Sequence, residues 1–168
     1  DVYKRQIYKP EDMPALTRGA DGEDHYMING ALSPTYIVTT AEYFVLRMAH
    51  GDMVLSVPVD KVEEVGMRWP ISKEDVVDLF EVLERRDIRE PSNWSRRFKN
   101  HQEKLKSGDV YQVAEVVRNL ALREADKGLS AGEKTLYTKA LNVLVSELSF
   151  ALNVDEEHAL EKVEGALS

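Results

Sequence analysis

The residues best suited to chemistry lie in one stretch, Arg89 to Leu120, which opens REPSNWSRRFKNHQEKLK. From Arg85 to Lys106, eight cations (Arg85, Arg86, Arg89, Arg96, Arg97, Lys99, Lys104, Lys106) stand against three carboxylates (Asp87, Glu90, Glu103), a surplus of five. The whole chain has a formal net charge of -8, so the rest carries -13 and the positive charge is focused here. An acidic protein can present a nucleic-acid-binding face in this way. On a helix starting near Asn93, Trp94, Arg97 and Phe98 fall at i, i+3 and i+4, and Arg96, Lys99 and Lys106 occupy the adjoining surface. Arginine and lysine there can hold phosphates, a salt-dependent and sequence-independent interaction. Trp94 can act as an apolar wedge at a base step, as bulky side chains of minor-groove proteins do. Alternatively, Trp94 and Phe98 plug a helical core while the cations solvate the helix. Residue type and spacing leave both readings open.

Other chemistry finds little support. With no cysteine there is no disulfide, thiolate metal site or cysteine nucleophile. His25, His50, His101 and His158 have no i, i+4 pairing that would suggest zinc. Gly30, Gly51 and Gly66 stand alone rather than in a phosphate-binding loop, and Glu63-Glu64 and Glu156-Glu157 lie in polar runs. The expectation is a non-enzymatic protein with no metal, cofactor or small-molecule substrate. The sequence has no apolar run of membrane-spanning length and no signal-peptide pattern, which predicts a cytoplasmic protein without a membrane partner.

These residues must be positioned by a chain of α+β class. Residues 1–35 have little periodicity and read as irregular. TYIVT, AEYFVLRMA and MVLSVPV then read as strands, with His50-Gly51-Asp52 as a hairpin turn and Pro58 at an edge. Phe44, Leu46 and Met48 alternate with Tyr43, Val45 and Arg47, giving one clearly apolar face. The composition shifts over 66–72, which divides the chain into an antiparallel β module (1–68) and an all-α helical bundle of four to five helices (69–168). Trp69, beside Pro70, reads as packing between the two.

Helix starts are marked by Ser72 with Asp75, Ser92 or Asn93, Asp109, Ser130 with Glu133, and Asp155. Gly108 and Gly128 mark ends. Val76, Val77, Phe80 and Leu83 predict the inner face of the first helix. Val110, Val113, Val117 and Leu120 do so for the third.

EPSNWSRRFKNHQEKLKSGDVYQVAEVVRNL, followed by KGLSAGEKTLYTKALNVLVSEL, closely resembles the helical domain of CarD/CdnL-type bacterial transcription regulators. EYFVLRMAHGDMVLSVPVDKVEEVGMR resembles the later strands of that family's RNA-polymerase-interacting domain. The resemblance implies a Tudor-like β module that binds the β subunit of bacterial RNA polymerase. It also implies a helical domain on promoter DNA at the upstream edge of the bubble, in a nucleoid-associated protein that stabilises the open complex. Trp94 would enter the minor groove without reading sequence, with Arg96, Arg97 and Lys99 as its basic partners. Polymerase-facing positions would fall at Arg47 and at Ser56, which stands where the family has an arginine before the VP of the last strand. The start departs from the family, with only HYMINGA similar to its opening strands. The rival expectations are a protein-interaction module and a family member that has lost polymerase binding.

Overall fold

The structure, a computed structural model, describes residues 25–28, 31–34, 43–47 and 54–168. Contacts divide the chain into two compact units, Asp1–Pro70 and Ile71–Ser168.

In the first unit, β1 (His25–Ile28) pairs antiparallel with β2 (Ala31–Pro34), with Ile28 opposite Ala31. These two described strands fall within the stretch 1–35 that is expected to be irregular. A second antiparallel pair joins β3 (Tyr43–Arg47) to β4 (Val54–Pro58), with Tyr43 opposite Pro58 and Arg47 opposite Val54. The expected TYIVT strand, the HGD turn and Met48 and Met53 lie outside the described residues. Phe44 and Leu46, two apart and so on one face of β3, are buried with Val57, Val62 and Met67. Trp69 packs against this cluster.

The second unit is all-α, with five helices: α1 (Val76–Glu84), α2 (Trp94–Lys106), α3 (Val110–Asp126), α4 (Ala131–Leu152) and α5 (Glu156–Leu167). Four start on side-chain caps: Asn93 accepts from Arg96 N, Asp109 from Tyr111 N, Ser130 from Glu133 N and Asp155 from His158 N. Each satisfies an N–H that the helix itself cannot. Ser72 departs from expectation: its hydroxyl accepts from Asp75 N in the turn before α1, and the helix begins only at Val76 with no side-chain cap.

The central element is α3. Its Val110, Val113, Val116, Val117 and Leu120 are buried against Leu79 and Leu83 of α1, Leu144 and Leu148 of α4, and Val163 of α5. Each such side chain contributes roughly 1.5–3 kcal/mol of burial, which fixes the bundle around α3. In α1 the buried set is Val76, Leu79 and Leu83, while Val77 is 65% exposed. Of the expected face, Val76 and Leu83 are buried and Phe80 packs partly buried against the core, so the correction is confined to Val77, in whose place Leu79 is buried, both residues fitting helical spacing.

Candidate nucleic-acid interface

Asn93 sets the direction in which α2 leaves the Pro91 turn, and this makes Trp94 the first helical residue. A side chain at that position has no preceding turn to pack on, so it needs partners from elsewhere. Phe98, one turn on, stacks on the indole with ring centroids 4.9 Å apart and planes 11° from parallel. The indole Nε1–H donates to Ser130 Oγ at 3.2 Å. A β-carbon built on Gly132 would lie 4.0 Å from Trp94 Cζ2 and 3.5 Å from Phe98 Cε2, so the first turn of α4 lies along the ring edge. Trp94 nevertheless stays 45% exposed. The ring is held at one face and at its nitrogen, and open elsewhere.

Arg97 has a different fate from its neighbours. It is 3% exposed, and its Nη1 donates to the carbonyls of Pro91 (3.3 Å) and Ser92 (3.1 Å). Its Nη2 pairs with Glu133 Oε1 at 3.2 Å. Glu133, itself buried, accepts from Ser130 N at 2.9 Å through Oε2 and completes the capping box of α4. Burial pushes the Glu133 carboxyl up, but the hydrogen bonds from Ser130 and the Arg97 guanidinium outweigh it and hold the group below its usual range. A circuit results: Trp94 to Ser130, Ser130 to Glu133, Glu133 to Arg97, and Arg97 back along α2 to Trp94. It unites the NWSRRF and GLSAGEK segments at the joined N-termini of α2 and α4. The CarD C-terminal domain matches residues 78–164, just over half of the chain, and spans both segments.

The chain belongs to the CarD family of transcription regulators. A Bacillus subtilis (strain 168) protein named "Putative transcription factor YdeB" is 29% identical to it over 119 residues, which cover 69% of this chain and 76% of the relative.

In this CarD-family bundle the cationic surplus divides into two sets. Arg97 is internal. Lys104 pairs with Glu115 of α3 at 2.7 Å, and Arg86 donates to the carbonyls of Leu83 and Ala166, each at 2.9 Å, tying the ends of α1 and α5. Arg85, Arg89, Arg96, Lys99 and Lys106 remain exposed. Arg96 has no ion pair among the described residues. Lys99 has a 3.8 Å pair with Glu103 in which both side chains are mostly exposed. Such a pair contributes little and yields readily to a phosphate. Arg97, expected beside them as a contact residue, is therefore removed from the exposed set, because its guanidinium is taken up by two carbonyls and a carboxylate. Arg47 and Ser56 lie in β3 and β4, opposite Val54 and Val45, and their side chains lie outside the described residues.

A second buried polar group supports the same surface from behind. His101 of α2 makes a close hydrogen bond through Nε2 to Glu90 Oε1, which also accepts from Asn119 Nδ2 at 2.8 Å. Asn119 Oδ1 accepts from Arg118 Nε at 2.9 Å, and Arg118 Nη1 reaches Val82 O at 2.9 Å. Burial pushes the Glu90 carboxyl up, yet the hydrogen bonds from His101 and Asn119 and the Arg97 charge bring it below its usual range. A carboxylate so held only accepts, so His101 donates. This chain ties the segment after α1 to α2 and α3, and so fixes where Asn93 and Trp94 begin. Sequence inspection missed it because Glu90, His101 and Asn119 come from three separate segments and each looks like a solvated polar residue. It also missed Ser130 as a partner of Trp94: the capping box was legible, its second role was not. Among the described residues no group of acidic, histidine or cysteine side chains is arranged to hold a metal, and no helix is long and apolar enough to cross a membrane.

Proposed function

We propose that this protein acts without catalysis, by binding RNA polymerase and the upstream edge of the promoter bubble and so stabilising the open complex. The observation that carries the reading is the Trp94 indole, fixed on Phe98 and Ser130 yet 45% exposed, on a helix whose exposed Arg96 and weakly paired Lys99 can meet phosphates. Membership of the CarD family supports the class of function. Inserting an indole between base pairs costs a few kcal/mol of unstacking, about least where the duplex already ends in a fork. A wedge of this kind therefore favours the open state by differential affinity and needs no base readout. Arg96 and Lys99 would hold the backbone in register through charge. The β module, in this reading, engages the polymerase β subunit, with Arg47 and Ser56 on the strands involved.

The test is binding of the chain to forked and to fully paired duplex DNA over a range of salt concentrations, together with open-complex lifetime on a promoter. Trp94→Ala is expected to lose the preference for the fork and to shorten the lifetime while the helical unit stays folded. Absence of affinity for forked DNA even at low salt would favour a protein-interaction module instead. Capture by the isolated polymerase β subunit tests the other half, and failure there leaves a DNA-binding member without the polymerase contact.

A further inference from the structure

We infer that Ser130 is the positioning residue for Trp94, holding the indole in one orientation before any DNA arrives. The inference rests on the proposed role of Trp94. Its support is the geometry around one hydroxyl. Ser130 Oγ accepts the indole N–H at 3.2 Å and the Glu133 backbone N–H at 3.3 Å. The oxygen is thus anchored to the rigid start of α4, and the ring is anchored to the oxygen. Phe98 closes one face of the ring, and Gly132 leaves room for its edge along α4.

An exposed tryptophan without such partners samples several rotamers, and ordering it on binding weakens affinity. Here two contacts in different directions, a stack and a hydrogen bond, remove that freedom in the unbound protein. The circuit through Glu133 and Arg97 holds the two helix starts at the spacing that the indole bridges. Ser130 therefore serves the DNA contact without making it, and the GLSAGEK segment has a reason to accompany NWSRRF.

Replacing Ser130 by alanine would remove the helix cap and the anchor together. Ser130→Gly separates them: glycine is a serviceable N-cap but offers the indole no acceptor. Ser130→Thr keeps the oxygen. The full chain contains two tryptophans, so the indole N–H of Trp94 is identified by NMR as the signal lost in Trp94→Phe. In Ser130→Gly that hydrogen is expected to exchange with solvent about fivefold faster, the population factor of one ordinary hydrogen bond. Fork affinity is expected to fall by a similar factor of about five, and Ser130→Thr to restore both. Unchanged exchange in Ser130→Gly overturns the positioning role. So does faster exchange with native fork affinity, since the anchor would then serve nothing. Native fork affinity in Trp94→Ala would instead overturn the reading on which the inference rests, and the two failures are distinguishable because the exchange measurement involves no DNA.

Discussion

Trp94 Nε1 lies 3.2 Å from Ser130 Oγ, so the first residue of α2 is held by the cap of α4 across 36 positions of sequence. A core plug would be buried with its nitrogen in the interior. Trp94 instead leans on the bundle with one face and one edge. Its stack on Phe98 is worth about 0.5–1.5 kcal/mol beyond area burial. Trp94→Ala removes that stack, the bond to Ser130 and the buried half of the indole, on the order of 2–3 kcal/mol in all, and should lower the melting temperature by roughly 10–20 °C with the unit still folded. Thermal unfolding followed by circular dichroism checks this, and collapse of the fold would return Trp94 to the core.

Arg96 and Arg97 are adjacent, identical in type and opposite in fate. Arg97→Ala leaves buried Glu133 with only the longer, 3.5 Å pair to Arg123, so the loss should approach, without exceeding, the roughly 3–5 kcal/mol of a broken buried pair. Arg96→Ala, at an exposed site, should change stability by less than about 0.5 kcal/mol. In DNA binding the order reverses for the soluble, folded variants: Arg96→Ala should reduce the slope of log affinity against log salt by about 1, the signature of one lost phosphate contact. Denaturant unfolding and a salt titration, run on both variants, separate the two roles.

The same pair shows where sequence inspection reached and where it stopped. Helix starts at Asn93, Asp109, Ser130 and Asp155 were legible because capping depends on a local side chain and its own backbone. The buried face of α3 was legible because its apolar periodicity runs unbroken over several turns. Arg97 was not, since its position three residues after Trp94 suits a surface partner and an inward ion pair equally. The deciding element is Glu133, 36 residues away and itself readable only as half of a capping box. Likewise Val77 of α1 was misassigned to the core and Leu79 overlooked, because both satisfy the apolar spacing and only contact with α3 selects Leu79. Long-range polar pairing carries no local signature.

Acid should loosen the bundle at Glu90 and Glu133. Both carboxyls are held below their usual range in the folded state, so each contributes stability that is present above the ordinary glutamate value of about 4.3 and is lost as pH falls below it. Glu90→Gln removes one of the two titrations. It should cost about 1–3 kcal/mol at neutral pH, the penalty for weakening buried hydrogen bonds to His101 and Asn119. It should also flatten the loss of stability between roughly pH 4.3 and the lower folded-state value. Denaturant midpoints measured from pH 7 down to pH 3 give both quantities. An equally steep decline in the variant would mean that Glu90 is not one of the groups responsible.

Gly128 and Gly132 stand four residues apart, and alanine should act on them in opposite directions. Gly128 ends α3 with φ +77°, and its N–H donates to the carbonyls of Arg123 and Glu124. A β-carbon there meets nothing within 4 Å, so the only penalty is the left-handed backbone, about 1 kcal/mol for an L side chain. Gly132 lies inside the first turn of α4, where alanine gains roughly 0.5–1 kcal/mol over glycine. The added methyl would sit 3.5 Å from Phe98 and 4.0 Å from Trp94, ordinary contact distances, so the gain is not cancelled by a clash. Gly132→Ala is thus expected to raise the unfolding midpoint and Gly128→Ala to lower it. The Gly132 variant also adds a third contact to the indole edge, so exchange of the Trp94 N–H should slow in it. Faster exchange would mean that the methyl pushes the ring away from Ser130, and that the space beside Gly132 is needed to seat the indole.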